Sequence, residues 1–459
     1  EMKHLTTVLA AAAIAVPQAA SAQDSPSVTL FSNGRTLVRR MVPISIPAGI
    51  STHPVEFGVF DPSSFAVLEP GVVLERLTFD AQFDENAILR RSIGDTFDIS
   101  LGMEKQVIRA RLVGINPERW ELIGGVHEGL RNGVMFGRPG QIVWREGQVP
   151  TGPVADAVFR AERARNSVRV MYETMGGNWN ADYRLFLGSN ARFEGTATIA
   201  AGVLDIDNAE VQLLAGDIGQ KAAPPMPRDA AYARMAVQEM SLMSEAEAVG
   251  EVRLYTVPGR VKFTPGVITT LPLFESTPVQ PELRLIVPGA VPFWGGLSQF
   301  GDEQEVPVEV RYRFDRKLGT TFGDLPLPAG TVSVYDTDRA GRVQLVGAGQ
   351  IGHTSAGEMM EVSTGSAFDV TARRTQVSYT TSVVDAPRRT TATAEYRVVV
   401  KNAKEVPVKV EVREDRGGDW SVVTSSVEPV RLSSSRVVFP LTVPARGEAT
   451  VTYRVRVVW

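Results

Sequence analysis

Two short stretches of this sequence carry the residue types that could do chemistry. One is Trp179-Asn180-Ala181-Asp182-Tyr183, where two aromatic rings flank an amide and a carboxylate. The other is His353-Thr354 with Glu358 a few residues on. Trp and Tyr offer a flat apolar face with a polar edge, which suits a sugar ring. Asp182 and Glu358 could serve as general acid and base in a hydrolase if folding brought them about 5–10 Å apart. His353 could hold or move a proton near neutral pH. Each has a plainer reading. The rings can be sheet core, Asp182 can cap a turn, and the imidazole can pin a loop.

Other chemistries find little footing. The four histidines, His4, His53, His127 and His353, are scattered, and none has the spacing of a zinc site. The sequence has no cysteine, so disulfides, thiolate ligands and a cysteine nucleophile are out. Asp336-Thr337-Asp338-Arg339-Ala340-Gly341 begins like a calcium loop, but Ala340 stands at the fifth position and Gly347 at the twelfth. A hairpin turn is the expectation there, as is an exposed turn at Asp205-Ile206-Asp207-Asn208. No phosphate-binding loop, dinucleotide fingerprint or nucleophile elbow occurs. No metal and no cofactor are expected. The net charge of −4, spread over a chain with 22% charged residues, gives no basic field for nucleic acid.

The elements that would position these residues read as β. The chain has 459 residues, 41 Gly and 29 Pro, and recurrent alternation of apolar and polar positions. Hairpin chemistry is visible at Asn33-Gly34, a pair suited to a type I′ turn. The fold class expected is all-β, several β-sandwich, immunoglobulin-like domains with a short helical insertion. Residues 1–22 read as a signal peptide: Lys3 and His4, an apolar run, then Ala20-Ser21-Ala22 as the cleavage site. The expected divisions are an N-terminal β domain over 23–150, a helical connector over 151–166, and a central sandwich over 167–385. An Ala/Met/Glu-rich insertion at 220–250 interrupts the central domain, and an immunoglobulin-like domain closes the chain over 386–459. The connector reading rests on Pro153 with Val154, Ala157, Val158 and Ala161 on one helical face. No later stretch reaches the roughly 20 apolar residues of a transmembrane helix.

Several segments together resemble a family of secreted bacterial proteins, domain-of-unknown-function 4139. They are the segment from Tyr172 to Asp217 with its Trp-x-Ala-x-Tyr core and Leu-x-Ala-Gly ending, and the N-terminal Val28-Thr29-Leu30-Phe31-Ser32-Asn33-Gly34. They continue as Leu327-Pro328-Ala329-Gly330, His353-Thr354 and Gly365-Ser366-Ala367-Phe368-Asp369-Val370. The resemblance implies an exported β protein, periplasmic or secreted, and no reaction.

The expected function is a non-catalytic binding or scaffold module of the bacterial cell envelope, its partner an envelope protein or a glycan. Trp179, Tyr183, Phe293 and Trp294 are the candidate contact residues. The alternatives are an envelope hydrolase working through Asp182, Glu358 and His353, and an outer-membrane β-barrel. The barrel reading comes from the alternation Val451, Tyr453, Val455, Val457, Trp459.

Overall fold

The computed structural model describes residues 25–102, 106–123, 133–145, 149, 152–216, 246–249, 251–289, 303–385 and 388–459. The fold is all-β, built from several separate sheets. The chain divides into two compact units. Of the described residues, the first takes those within 1–178, 201–212 and 259–267, and the second those within 179–200, 213–258 and 268–459.

In the first unit, Ser27–Phe31 and Arg35–Val42 form the opening hairpin, with Leu30 opposite Thr36. Its turn is not type I′. Gly34 alone takes a positive φ, 86°, and its N–H bonds to the Phe31 carbonyl at 3.3 Å. Asn33 instead uses its side chain, accepting from the Arg35 N–H at 3.1 Å. Arg35–Val42 then pairs with Val168–Met175, which pairs in turn with Asp61–Val67. The proline-flanked segment after Val42 reduces to one bridge, Ile46 to Arg165. Pro43 and Pro47 cannot donate to a ladder.

A smaller sheet stacks Gly49–Val55, Val154–Ala161 and Val72–Asp80, with Val154–Ala161 in the centre. This corrects the helical connector expected over 151–166. Ala155, Ala157, Phe159 and Ala161 are all buried, a period of two that a helix would not produce. The alanines favour helix in isolation, but pairing on both edges decides the state.

Between these strands sits a five-stranded sheet in the order Gln141–Val143, Thr96–Leu101, Gln106–Ile115, Glu118–Ile123, Val134–Phe136. Leu89, Phe97, Ile99, Leu112 and Trp120 form its core. Leu89 arrives on a helix, Glu85–Arg91, which the sequence reading did not anticipate. Asp84 caps it by accepting from the Ala87 N–H at 2.8 Å.

The second unit opens with the sheet Ile268–Pro278, Arg192–Ala200, Asn178–Phe186, Gly330–Thr337, Val343–Ile351. Asn178–Phe186 and Gly330–Thr337 run parallel, Tyr183 opposite Val332. The C-terminal part is a two-sheet sandwich. One sheet orders Met360–Ser366, Glu309–Phe314, Glu282–Val287, Val408–Asp415, Arg436–Val443 and Val430–Arg431. The other orders Gln304–Val306, Val370–Asp385, Arg388–Asn402, Gly447–Val458 and Asp419–Ser425. The boundary expected between 385 and 386 therefore falls inside a hairpin, since Val370–Asp385 and Arg388–Asn402 pair along their whole length. The sandwich recruits strands from Glu282 onward.

Tyr396, Val398, Val412, Phe439, Val451, Tyr453 and Val455 fill the space between the two sheets. This places the alternation from Val451 to Val457 in a protein core, not on an outward face as the barrel reading required. Of the insertion expected at 220–250, residues 220–245 and 250 lie outside the described part. Ala246–Val249 is a strand, paired with Val252–Thr256.

Candidate functional site

The Trp179–Tyr183 stretch and the His353–Glu358 stretch do meet, but around a loop of their own chain. Strand alternation on Asn178–Phe186 buries Trp179 and Tyr183, each 1% exposed, and turns Asp182 to the opposite face. The Trp179 indole donates to the Leu214 carbonyl at 3.2 Å. The Tyr183 hydroxyl donates to the Pro328 carbonyl at 2.7 Å, and the Tyr255 hydroxyl to the Pro326 carbonyl at 3.1 Å. The Thr354 N–H takes the Leu327 carbonyl at 2.9 Å. Arg316, 3% exposed, donates to the Leu325, Phe322 and Ser355 carbonyls with its guanidinium over the Phe322 ring. Four successive carbonyls, Leu325 to Pro328, are thus each held by a different residue.

His353 and Glu358 belong to the same clamp. The His353 Nδ1 accepts from the Ala329 N–H at 3.1 Å, and Glu358 accepts from the Ser355 N–H at 2.8 Å. Asp182 accepts from the Thr198 hydroxyl at 2.8 Å on the far face of its sheet. Asp182 and Glu358 are thus each committed to a partner of its own, Asp182 to Thr198 and Glu358 to the Ser355 N–H. Trp179 and Tyr183 cannot stack on a ligand, because no face of either ring is open. Phe293 and Trp294 lie outside the described residues.

Burial accounts for the electrostatics here. It pushes the Tyr183 and Tyr255 hydroxyls well above the usual tyrosine range, and it lowers the Arg316 guanidinium. At neutral pH both hydroxyls are donors and Arg316 is charged.

Asp336 and Thr337 end the strand Gly330–Thr337, and the residues after them make the hairpin turn that was expected, leading into Val343–Ile351. Asp338 spends its carboxylate on the N–H groups of Ala340 and Arg342 and on the Arg342 and Gln344 side chains. The Arg342 backbone N–H foremost holds its carboxyl below the usual range. Among the described residues, no group of three or more His, Asp or Glu could hold a metal ion.

An open groove of about 1370 Å³ in the second unit offers what the clamp does not. One wall is the turn at residues 187–191, anchored by the Leu187 N–H on the Tyr335 carbonyl at 2.8 Å. The Val279 N–H closes on the Ala191 carbonyl at 3.0 Å beneath it. Arg192 borders the groove with its guanidinium 3.9 Å above the Phe186 ring. Across from it, Leu283 and Tyr312 are directly opposed on neighbouring strands, so both side chains point the same way. Leu283 is 46% exposed and Tyr312 is half-buried. Burial, and then the nearby Asp336 carboxylate, raise the Tyr312 hydroxyl above the usual range, so it is a proton donor at neutral pH.

Asp315 and Lys317 follow on the same strand end, exposed, with the buried Arg316 between them pointing inward. The Tyr312 hydroxyl, the Asp315 carboxylate and the Lys317 ammonium make no hydrogen bond or ion pair to described residues. The groove thus combines an aromatic–aliphatic floor with a free acceptor, a free cation and a phenol.

No family model matches the chain, and no curated protein does.

The groove residues were passed over in the sequence, with the exception of Asp336, weighed there as part of a turn. Tyr312-Arg313-Phe314-Asp315-Arg316-Lys317 reads as a strand running into a charged end. Its one usable signal is alternation. Tyr312 sits out of phase with the buried Phe314 and Arg316 only in its partial exposure, which sequence does not display.

Proposed function

We propose that this chain is an exported, non-catalytic binding module of the bacterial cell envelope, and that its groove seats a polyhydroxylated chain, a glycan. The observation that carries the reading is the Leu283–Tyr312 floor with Asp336 beside it and Asp315 and Lys317 uncommitted at its edge. A sugar ring needs an apolar face to lie on and both donors and acceptors around its rim. The groove provides both, with charges of both signs, so it suits a neutral or zwitterionic ligand over a strongly charged one. The signal-peptide pattern of residues 1–22 and the resemblance to the secreted family support the compartment.

Co-sedimentation with insoluble envelope glycan tests the reading. The chain is expected to pellet with the polymer, and the double variant Asp315→Ala/Lys317→Ala is expected to stay in the supernatant with unchanged melting. Equal pelleting of both would count against it.

A further inference from the structure

We infer that the buried polar cluster inside the C-terminal sandwich, Arg374 and Arg416 with Tyr396, binds one small monovalent anion. Alternation on Val370–Asp385 turns Arg374 and Gln376 to the same face, and the ladder sets Gln376 opposite Tyr396 and Tyr396 opposite Tyr453. Glu414 lies near the end of the facing strand Val408–Asp415, and Arg416 follows it. These side chains meet between the two sheets. Arg374 is 4% exposed and Arg416 7%, while Glu414 and Tyr396 are fully buried.

The cluster holds one positive charge in excess. Its two guanidiniums share a single carboxylate, Glu414, which lies 2.7 Å from Arg416 and accepts from the Tyr453 hydroxyl. Arg374 makes no ion pair to described residues, and its Nη2 donates only to the Pro288 carbonyl at 2.9 Å. The acids nearest in sequence are engaged elsewhere, Glu303 and Glu305 with Arg373, and Asp415 with Arg436. Burial raises the Tyr396 hydroxyl above the usual range while Arg416 and Arg374 both pull it down, so both cations act on the same oxygen. A charge this deeply buried is ordinarily paired.

The hydrogen bonds are unbalanced in the same sense. The Nε–H of Arg374 and that of Arg416 are buried without an acceptor. The Tyr396 hydroxyl accepts from Gln376 at 3.3 Å and from Arg416 at 3.4 Å, and no described residue accepts its own proton. A guanidinium has five donors and no acceptor, so two of them beside one carboxylate leave donors over. Water would bring as many donors as acceptors and no charge. A monovalent anion brings acceptors alone and cancels the excess charge, which selects it as the ligand.

Thermal melting of the full chain tests this, with chloride as the probe and ionic strength held by a bulky sulfonate. The wild-type melting temperature is expected to rise with the logarithm of chloride concentration, as for a ligand bound only by the folded state. Arg374→Met removes the excess charge and its donors, and its melting temperature is expected not to respond to chloride. No rise in the wild type, or an equal rise in Arg374→Met, overturns the proposal. Should Arg374→Met fail to fold, Tyr396→Phe decides, because it removes one donor and no charge. Its rise is expected to begin at higher chloride than in the wild type, and an unchanged response overturns the proposal.

Discussion

The Tyr183 hydroxyl donates to the Pro328 carbonyl at 2.7 Å from a side chain that is 1% exposed. The bond joins the Trp-x-Ala-x-Tyr stretch to the Leu-Pro-Ala-Gly stretch, two of the segments on which the family resemblance rests. Their meeting is structural. Tyr183→Phe keeps the ring and leaves a buried carbonyl without a partner, which should cost about 1–2 kcal/mol. Urea denaturation of the variant is the check, and a loss too small to measure would mean that water replaces the hydroxyl.

Arg316 should matter more than any single tyrosine. Three carbonyls depend on it, and its neighbours leave no room for solvent. Arg316→Met is expected to lose about 3 kcal/mol or more, because several buried acceptors go unpaired at once. Arg316→Lys should recover little, since one ammonium cannot span the fork. Recovery close to wild type in the lysine variant would show that charge, not geometry, is what the site needs.

The C-terminal sandwich contains a buried ion pair with a comparable vulnerability. Glu414, fully buried, lies 2.7 Å from Arg416 and accepts from the Tyr453 hydroxyl at 2.7 Å. Removing Arg416 alone strands a charge, so Arg416→Met should cost about 3–5 kcal/mol. The double variant Arg416→Met/Glu414→Leu should cost distinctly less than Arg416→Met, because no orphaned charge remains. Equal losses in the single and double variants would contradict this account of the pair.

Alkaline pH should unfold the protein through its tyrosines. Burial raises Tyr172, Tyr183, Tyr255, Tyr396 and Tyr453 above the ordinary value of about 10. In the unfolded chain they ionise near that value, whereas the folded chain keeps them protonated. The stability they supply is therefore complete below pH about 10 and is lost as the pH climbs toward the folded values. Each adds up to about 1.4 kcal/mol per pH unit to the fall. Denaturation midpoints from pH 8 to 11.5 should stay level and then drop steeply, while tyrosinate absorbance lags behind that of the unfolded chain. A midpoint unchanged at pH 11.5 would contradict it.

Much of the fold was legible, and the reasons are specific. Val451, Tyr453, Val455 and Val457 alternate in sequence and alternate in burial, because a strand with one face in a sandwich core leaves that signature. The segment Val154–Ala161 alternates too, but its alanines also satisfy a helical face, and only the two flanking strands break the tie. Glu85–Arg91 escaped notice because seven residues are too few to show a helical period. The site was harder to read. Trp179 and Tyr183 stand out as residue types whether buried or exposed, and their burial is a property of the sheet. The groove collects residues from segments near 190, 280, 312 and 336. Their proximity comes from pairing between distant strands, which no local pattern announces.

The central claim is that the groove binds a glycan, and hydrogen exchange on the full chain tests it most directly. Soluble envelope glycan fragments are added and amide protection is mapped along the sequence. The account predicts slowed exchange at the groove turn of residues 187–191 and around Val279 to Leu283, with Asp315→Ala/Lys317→Ala showing none. Protection confined to other segments, or none at saturating fragment, would contradict it.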